Sequence, residues 1–168
     1  WVSGGSGGTV VADGTLRLGI NQAITNNLRV TGSGATLDLG EYNTTVGAVT
    51  LSNGTITGTT GILAGTSYAV ANGTISAILG GSGSLTKSGS GTVTLSSANT
   101  YSGTTTIDAG TLRLNGTNAL ATSGSIFGSS AVANNSTLEL AAGGDYVLSA
   151  FGSADENGGS IRFTNSSG

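Results

Sequence analysis

Eight carboxylates are the candidates for acid–base chemistry in this 168-residue chain, which contains no His and no Cys. Without those two residue types, Ser–His and Cys–His nucleophilic pairs and zinc sites built on their side chains cannot form within the sequence. Paired carboxylates could still hydrolyse glycosidic bonds. The acids are scattered, however: Asp13, Asp38, Glu41, Asp108, Glu139, Asp145, Asp155 and Glu156. We therefore expect no catalytic residues and no enzyme activity.

Motifs for phosphate and metal ions are incomplete. The Gly-rich run at 80–84 lacks the Gly-Lys pair of a phosphate loop, because Lys87 follows Thr86, and no helix is predicted after it. Asp145 and the 155–157 segment supply oxygen ligands without the spacing of a calcium-binding repeat. The sequence therefore predicts no cofactor and no metal site.

Composition narrows the class of protein further. The net charge is −3, and five cations over the whole chain cannot form a nucleic-acid footprint. No stretch approaches the roughly 18–20 apolar residues of a membrane-spanning helix. Helix-forming residues are scarce, whereas the chain contains 31 Gly and many Thr, Ser and β-branched residues. These features favour an all-β protein that does not bind nucleic acid.

A short strand motif recurs along the chain: a small residue, then Thr or Ser, then an aliphatic residue. The hydroxyl residues are Thr15, Thr36, Thr55, Thr74, Thr92, Thr111, Thr137 and Ser160. A period of roughly 20 residues in an all-β composition indicates a solenoid, and we predict about eight parallel coils. Asn53-Gly54 and Asn72-Gly73 also fit hairpin turns, so an antiparallel meander is the competing architecture. The regular period favours the coils.

Alternation within the motif predicts which side chains face the interior. The first interior row is Leu16, Leu37, Ile56, Ile75, Val93, Leu112, Leu138 and Ile161. The second is Leu18, Leu39, Leu95, Leu114, Leu140 and Phe163. Stacked coils would thus bury a thin apolar column.

An outward row lies between the two interior rows. Its predicted members are Arg17, Asp38, Thr57, Ser76, Thr94, Arg113, Glu139 and Arg162. The five charged members, Arg17, Asp38, Arg113, Glu139 and Arg162, alternate in sign at both ends of the row. We expect an exposed ladder of ion pairs in register, each worth about 0–1 kcal/mol. A binding site along this row is the alternative.

The organisation along the chain is that of one β-helical segment covering residues 1–168. Residues 1–9 look like a loose lead-in or the broken end of an upstream coil, and the clearest repeat occupies 80–114. The motif intervals lengthen over 115–159, where we predict wider loops and any binding function of the segment itself. The sequence starts at Trp1 and contains no Met, so we expect a piece of a longer polypeptide.

Four fragments within residues 80–114 carry a family resemblance. They are Leu85-Thr86-Lys87-Ser88-Gly89, Asn99-Thr100-Tyr101-Ser102-Gly103, Thr104-Thr105-Thr106-Ile107 and Ala109-Gly110-Thr111-Leu112. The stretch resembles the autotransporter-associated β-strand repeat, also called the passenger-associated transport repeat. Thr104 stands where the family usually has a second Gly.

The resemblance implies a right-handed single-stranded parallel β-helix in the passenger of a bacterial autotransporter. Such a passenger is extracellular, either anchored to the outer membrane or secreted, and its translocator β-barrel would lie outside this fragment. The family's repeats are linked to secretion and to the surface stalk. Of the motif residues Asn99, Tyr101, Gly103, Gly110, Thr111 and Leu112, we expect Tyr101 and Gly103 to shape a corner, with Gly supplying its conformation. Asn99 should satisfy corner backbone groups.

The leading functional hypothesis is a structural stalk repeat that supports secretion, surface display and adhesion or self-assembly. Its expected partners are neighbouring coils of the same polypeptide, a surface glycan or other cell-surface target, and other copies joined end to end through open strand edges. A carbohydrate-binding or carbohydrate-cleaving β-helix is the alternative, although the aromatic residues share no common offset in the repeat. Ice binding by a Thr-rich face is a minor alternative, because the outward row is mixed and charged.

Overall fold

The computed structural model describes residues 2–5, 7–115, 137–141 and 160–164, and within these ranges the chain forms strands and no helix. The strands are β1 (Val2–Gly5), β2 (Gly8–Val11), β3 (Thr15–Arg17), β4 (Leu28–Val30), β5 (Thr36–Asp38), β6 (Thr44–Thr45), β7 (Ala48–Leu51), β8 (Thr55–Thr57), β9 (Ile62–Ala64), β10 (Ser67–Val70), β11 (Gly73–Ile75), β12 (Ile78–Gly80), β13 (Ser84–Lys87), β14 (Thr92–Leu95), β15 (Thr105–Ile107), β16 (Thr111–Leu114), β17 (Thr137–Ala141) and β18 (Ser160–Thr164).

The strands stack into three sheets. Their orders are β1-β2-β4-β7-β10-β13-β15, β18-β17-β16-β14-β11-β8-β5-β3 and β12-β9-β6. Only β1 and β2 pair antiparallel among the described strands, and all the other pairs there are parallel. Because consecutive strands from β2 to β16 fall in different sheets, the chain winds as a β-solenoid. The predicted fold class is confirmed, and the antiparallel meander is wrong.

The eight copies of the motif form the eight-stranded sheet, but the number of complete coils is smaller. The neighbouring sheet contains six parallel strands, β2, β4, β7, β10, β13 and β15. Within the described residues, β17 and β18 have no companion strands in that sheet. The described solenoid therefore has about six turns, and the predicted count of about eight coils is too high.

The core is a narrow apolar column inside the coils. Leu37, Ile56, Leu63 and Leu112 have no exposed surface, and Ile75 is almost fully buried. These side chains alternate with outward polar residues along short strands, as the period of two requires. Burying each Leu or Ile contributes about 1.5–3 kcal/mol. Stability thus comes from a line of single side chains rather than from one thick core.

The register between β11 and β14 differs from the prediction. Leu16, Leu37, Ile56 and Ile75 stack as expected, but Ile75 pairs with Leu95 and not with Val93. From β14 onward the expected pairings return, with Val93 beside Leu112. The predicted first interior row, which continued from Ile75 to Val93, is therefore wrong at this step. The corner before β14 has four residues, 88–91, whereas the corner before β11 has two, 71–72.

The same shift changes the outward row. Thr74 pairs with Thr94, so Thr94 continues the row of Thr55 and Thr74 and does not follow Ser76. A shift of two residues leaves every side chain on its original face, because the strand alternates with a period of two. The inward and outward assignments consequently survive while the neighbours change.

Strands are present within the predicted lead-in, residues 1–9. Residues 2–5 form β1, which lies antiparallel on β2 with Val2 opposite Val11. The predicted wider loops at 115–159 lie outside the described residues, apart from Asn115 and β17.

The register shift predicts the outcome of a cross-linking experiment in this Cys-free chain. In the double variant Thr74→Cys/Thr94→Cys the two Cα atoms are direct neighbours, so mild oxidation should form a disulfide. In Thr74→Cys/Thr92→Cys the second Cys lies two residues earlier along β14. The offset along the strand combines with the spacing between strands to separate the two Cα atoms by about 8 Å, which is beyond disulfide reach. Non-reducing electrophoresis after unfolding separates the two outcomes. Preferential cross-linking of the 74/92 pair would contradict the register.

Candidate functional site

Lys87 is an interior lysine at the end of β13. In register it lies between Val70 and Ile107, both apolar, and its side chain has no exposed surface. Its Nζ donates to the carbonyl oxygens of Ser88 at 2.8 Å, Gly89 at 2.7 Å and Ala109 at 3.0 Å. Three acceptors match the three protons of an ammonium group. The buried charge is therefore fully hydrogen-bonded.

The corners around Lys87 explain why a lysine stands in an apolar row. The four-residue corner 88–91 directs two carbonyls at the ammonium, and Ala109 supplies the third from the corner 108–110 of the next coil. Lys87 thereby supplies hydrogen-bond donors to backbone carbonyls of both corners. Gly110 has a φ of +68°, and a Cβ there would lie 2.8 Å from the Lys87 Nζ. Burial lowers the pKa of Lys87 below its usual value.

Asn99 joins two coils through its side-chain amide. It is 1% exposed, and its Oδ1 accepts a hydrogen bond from the Leu79 backbone N–H of β12 at 2.8 Å. The Thr100 N–H donates to the Leu79 carbonyl at 2.7 Å. Asn99 therefore lies beside β12 where the next strand of the three-stranded sheet would pair. The Asn99 side chain thus contacts a backbone N–H of a strand, whereas corner backbone groups were the expected partners.

Tyr101 and Tyr68 form an aromatic pair inside the solenoid. Both rings are 1% exposed, and their centroids lie 5.9 Å apart with a 50° tilt. The Tyr101 hydroxyl is 2.7 Å from the Thr105 Oγ1, and the Tyr68 hydroxyl accepts from the Gly65 N–H at 2.6 Å. Burial raises the pKa of Tyr101 and raises that of Tyr68 to about 12. Both phenols are therefore protonated at neutral pH and act as packed, hydrogen-bonded core groups.

Glycine is required at Gly103 for a structural reason that differs from the expected one. Its φ is outside the left-handed region, so the conformational explanation is wrong. A Cβ at this position would instead fall on the backbone of Gly83 and Ser84 in the preceding coil. Close approach of two coils therefore requires glycine here. The remaining motif residues lie in β16, where Thr111 is half-buried and Leu112 is fully buried.

The predicted charged ladder contains two ion pairs of different character. Arg17 Nε lies 2.8 Å from Asp38 Oδ2, with the Arg17 side chain 77% exposed. The hydrogen bond from Arg17 lowers the pKa of Asp38. Arg113 binds Glu139 through two bonds, Nε to Oε2 at 2.8 Å and Nη2 to Oε1 at 3.1 Å. That contact raises the pKa of Arg113.

Glu139 is the exception to the predicted exposure of this ladder. Its side chain is only 8% exposed, because its strand lies between β16 and β18 and Arg113 covers its carboxylate. Arg162 pairs with Glu139 in the strand register. The expectation that the whole charged row faces solvent is therefore wrong at Glu139.

These residues bind backbone groups or oppositely charged side chains in adjacent coils. In the described ranges, no group of three or more His, Cys, Asp or Glu residues could hold a metal ion. No helix of that same part of the chain is long and apolar enough to cross a membrane.

Sequence reasoning assigned no role to Lys87 or Tyr68. A signal for Lys87 existed, because alternation in Ser84-Leu85-Thr86-Lys87 places it on the same face as the buried Leu85. A charged residue at an inward position requires a specific set of partners. Tyr68 occupies the same register position as Leu85 in the preceding strand. Its partnership with Tyr101 depends on a contact between coils that motif spacing does not reveal.

The fold and these contacts define a repeat protein. It is a β-solenoid in which side-chain hydrogen bonds connect adjacent coils near their corners. Residues 85–119, about a fifth of the chain, match the family model of the passenger-associated-transport-repeat. The match contains Lys87, Asn99, Tyr101, Gly103 and Gly110, and it confirms the resemblance to autotransporter passenger repeats. No curated protein and no solved structure matches the chain.

The buried ammonium predicts a measurable loss of stability in Lys87→Met. Met has a similar length but leaves three carbonyl acceptors without their donor, so the free energy of unfolding should fall by about 1–3 kcal/mol. Urea unfolding monitored by circular dichroism measures the change. Thr86→Val, on the opposite face of the same strand, is the control and should change stability by less than about 0.5 kcal/mol. Equal stability of the two variants would contradict the role of Lys87.

The lowered pKa of Lys87 predicts a pH dependence with a defined sign. Between the folded-state pKa and the usual value of 10.5, the unfolded chain holds a proton that the folded chain has released. Stability rises with pH wherever the unfolded state binds more protons. The unfolding free energy of the wild type minus that of Lys87→Met should therefore increase from about pH 7 to about pH 11, by about 1.4 kcal/mol per unit of pKa shift. A flat or falling difference would refute the lowered pKa.

The close approach at Gly103 predicts a strong effect of one added methyl group. Gly103→Ala would force two backbones apart, at a cost of about 1–3 kcal/mol or more. Gly19→Ala is the matched control, because a Cβ at Gly19 meets nothing within 4 Å. Thermal unfolding of both variants should show a lowered midpoint for Gly103→Ala alone. If Gly19→Ala lowered the midpoint by the same amount, the role assigned to the close approach at Gly103 would be contradicted.

Proposed function

We propose that the chain is a structural module of an extracellular bacterial surface protein of the autotransporter-passenger type. In this proposal the solenoid forms part of a stalk that holds more distal parts of the polypeptide away from the cell. It also supports secretion, surface display and adhesion. Its partners are neighbouring coils of the same long polypeptide and a cell-surface target.

The observation that carries the proposal is the way the polar groups of the repeat are used. In the part of the chain matched by the family, Lys87, Asn99 and Tyr101 are all buried and bind neighbouring backbone or side-chain groups. Groups engaged in this way hold coils together and are not available to a substrate. A solenoid in which each coil contacts its neighbours can be extended by adding coils, which suits a stalk.

The carbohydrate-binding alternative receives less support from the same residues. Sugar-binding β-helices would need aromatic rings on an accessible face, whereas Tyr68 and Tyr101 are interior. The described acids Asp38 and Glu139 are engaged by Arg17 and Arg113. A stalk role explains these contacts directly.

Surface display can be tested in the full-length parent protein on its producing cells. The absence of Cys from this segment allows a single labelling site, and Thr60→Cys introduces one at an exposed position. A membrane-impermeant maleimide should label Thr60→Cys on intact cells as strongly as after lysis. Leu63→Cys, at a fully buried position, is the control and should stay unlabelled in both samples. Labelling of Thr60→Cys after lysis alone would refute surface display.

The spacer role can be tested by removing one coil. Ile56 and Ile75 are direct register partners, so deletion of residues 57–75 joins equivalent points of adjacent coils. A spacer should lose one coil rise, about 4.8 Å, and still be folded and displayed. A glycan array of the isolated segment provides the opposing arm. Saturable binding to one glycan, lost on this deletion, would favour the carbohydrate-binding alternative over the stalk.

A further inference from the structure

Two Asn-Gly pairs lie at equivalent corners of neighbouring coils. Asn53-Gly54 precedes β8, and Asn72-Gly73 leads into β11 one coil later. The Asn72 Nδ2 donates a hydrogen bond to the Asn53 Oδ1 at 3.0 Å, which joins the two corners directly. The same Asn53 oxygen accepts a hydrogen bond from the Gly54 backbone N–H at 2.9 Å. One side-chain carbonyl thus has two donors, one from its own corner and one from the next coil.

An Asn-Gly pair contains both components of an intramolecular reaction. The backbone nitrogen of the Gly attacks the Cγ of the Asn side chain, and the new N–Cγ bond closes a five-membered succinimide ring. The Cγ–Nδ2 bond breaks, and the amide proton of the Gly leaves with the side-chain nitrogen as ammonia. Water then adds across one of the two ring C–N bonds, which leaves either aspartate or isoaspartate. Water is the only co-reactant, and no group is oxidised or reduced.

The contacts of Asn53 favour the first step of this reaction. The Gly54 nitrogen is held 2.9 Å from the Oδ1, the oxygen bonded to the carbon that is attacked, so the nucleophile and the carbonyl are already adjacent. Negative charge develops on that oxygen as the ring closes, and the Asn72 Nδ2 already donates to it. A donor directed in advance at a developing oxyanion lowers the barrier. The next coil thus supplies a group that assists chemistry at this corner.

Loss of the Gly54 amide proton removes no hydrogen bond between coils, because this N–H is bonded to Asn53 of the same corner. Other backbone groups hold the corner in the stack. The Thr55 N–H donates to the Ala35 carbonyl of the preceding coil at 2.9 Å. The Gly54 carbonyl accepts from the Thr74 N–H of the following coil at 3.1 Å. The reaction therefore consumes none of the bonds that connect this corner to its neighbours.

The second pair, Asn72-Gly73, differs from the first in two contacts. Gly73 is the first residue of β11 and pairs in register with Val93, whereas Gly54 lies outside β8. The following coil places Gly91 against Asn72, where an added Cβ would lie 2.7 Å from the Asn72 Oδ1. In the described part of the chain, no side chain donates to that oxygen as Asn72 donates to Asn53. Asn72 is therefore an internal comparison for Asn53.

We propose that Asn53 is a site of spontaneous modification, in which attack by the Gly54 nitrogen releases ammonia and leaves aspartate or isoaspartate at position 53. The aspartate product suits the corner, because Asp13 accepts from the Gly14 N–H at 2.9 Å in the same arrangement two coils earlier. The isoaspartate product adds one carbon to the backbone between β7 and β8 and should weaken stacking there. Both products add negative charge to the solenoid with time, whatever the cellular role of the module.

The test incubates the full chain at neutral pH and physiological temperature, folded in buffer and unfolded in urea. Mass spectrometry of peptide digests measures amide loss at each Asn-Gly pair, and fragmentation separates aspartate from isoaspartate. In the folded chain we expect Asn53 to react faster than Asn72. In urea the contacts of both corners are lost, so the difference between the two pairs should disappear. Asn53→Asp is the reference for the aspartate product and should fold as the wild type does.

One variant separates the effect of the Asn72 donor from that of a looser corner. Asn72→Ala removes the hydrogen bond to the Asn53 Oδ1, and amide loss at Asn53 should slow by about two- to tenfold, the effect of one hydrogen bond. If Asn72 only maintained the shape of the corner, its removal would loosen the corner and speed the reaction. The sign of the change therefore identifies the role. Thr60→Ala, at an exposed position, is the control and should leave the rate unchanged.

Several outcomes would overturn the proposal. Amide loss at Asn53 in urea with none in the folded chain would show that the fold protects this residue. Equal or faster loss at Asn72 in the folded chain would contradict the role of the contacts, as would a preference for Asn53 that persists in urea. Faster loss at Asn53 in Asn72→Ala would remove the role of the donor. Faster loss at Asn53 in the folded wild type, slowed in Asn72→Ala, would support the proposal.

Discussion

Parallel pairing of each coil with the next, at a spacing of about 4.8 Å, is the constraint on which the rest of this structure depends. At that spacing there is no room for a Cβ at Gly103, and corner carbonyls that leave the strand pattern need donors from side chains. Lys87 donates to a corner carbonyl of the next coil, and Asn99 accepts from a strand N–H of the preceding coil. The polar residues of the repeat are therefore consequences of stacking as much as the apolar ones are.

Much of the fold could be predicted from sequence, because the period of two within strands and the recurrence of the Thr/Ser-aliphatic motif both follow from burial. Leu16, Leu37 and Ile56 stack as alternation requires. The step from Ile75 to Leu95 could not be predicted this way, since corner length decides it and the spacing of motif copies does not contain that information. The number of complete coils was overestimated because counting motif copies counts strands of one sheet.

The candidate site shows a similar division. Asn99 and Gly110 stand where turn chemistry places polar and glycine residues, and both could be identified from the sequence. The reason for Gly103 and the burial of Glu139 depend on what the adjacent coil contributes at that height. Lys87 needs its own corner and the following one, twenty-two residues away for Ala109. Contacts of this kind form between stacked coils, so the sequence of a single repeat does not reveal them.

The register shift at β14 also shows how the number of residues per coil can change along the solenoid. A strand that slides along its neighbour keeps its apolar face inward only if it moves by two residues, about 6.6–6.8 Å at a time. Here the corner at 88–91 absorbs such a step, with Lys87 binding two of its carbonyls. The four-residue corner, whose carbonyls bind the interior Lys87 ammonium, thus accommodates a difference in length between neighbouring coils. It allows coils of unequal perimeter to follow one another without a break in the core.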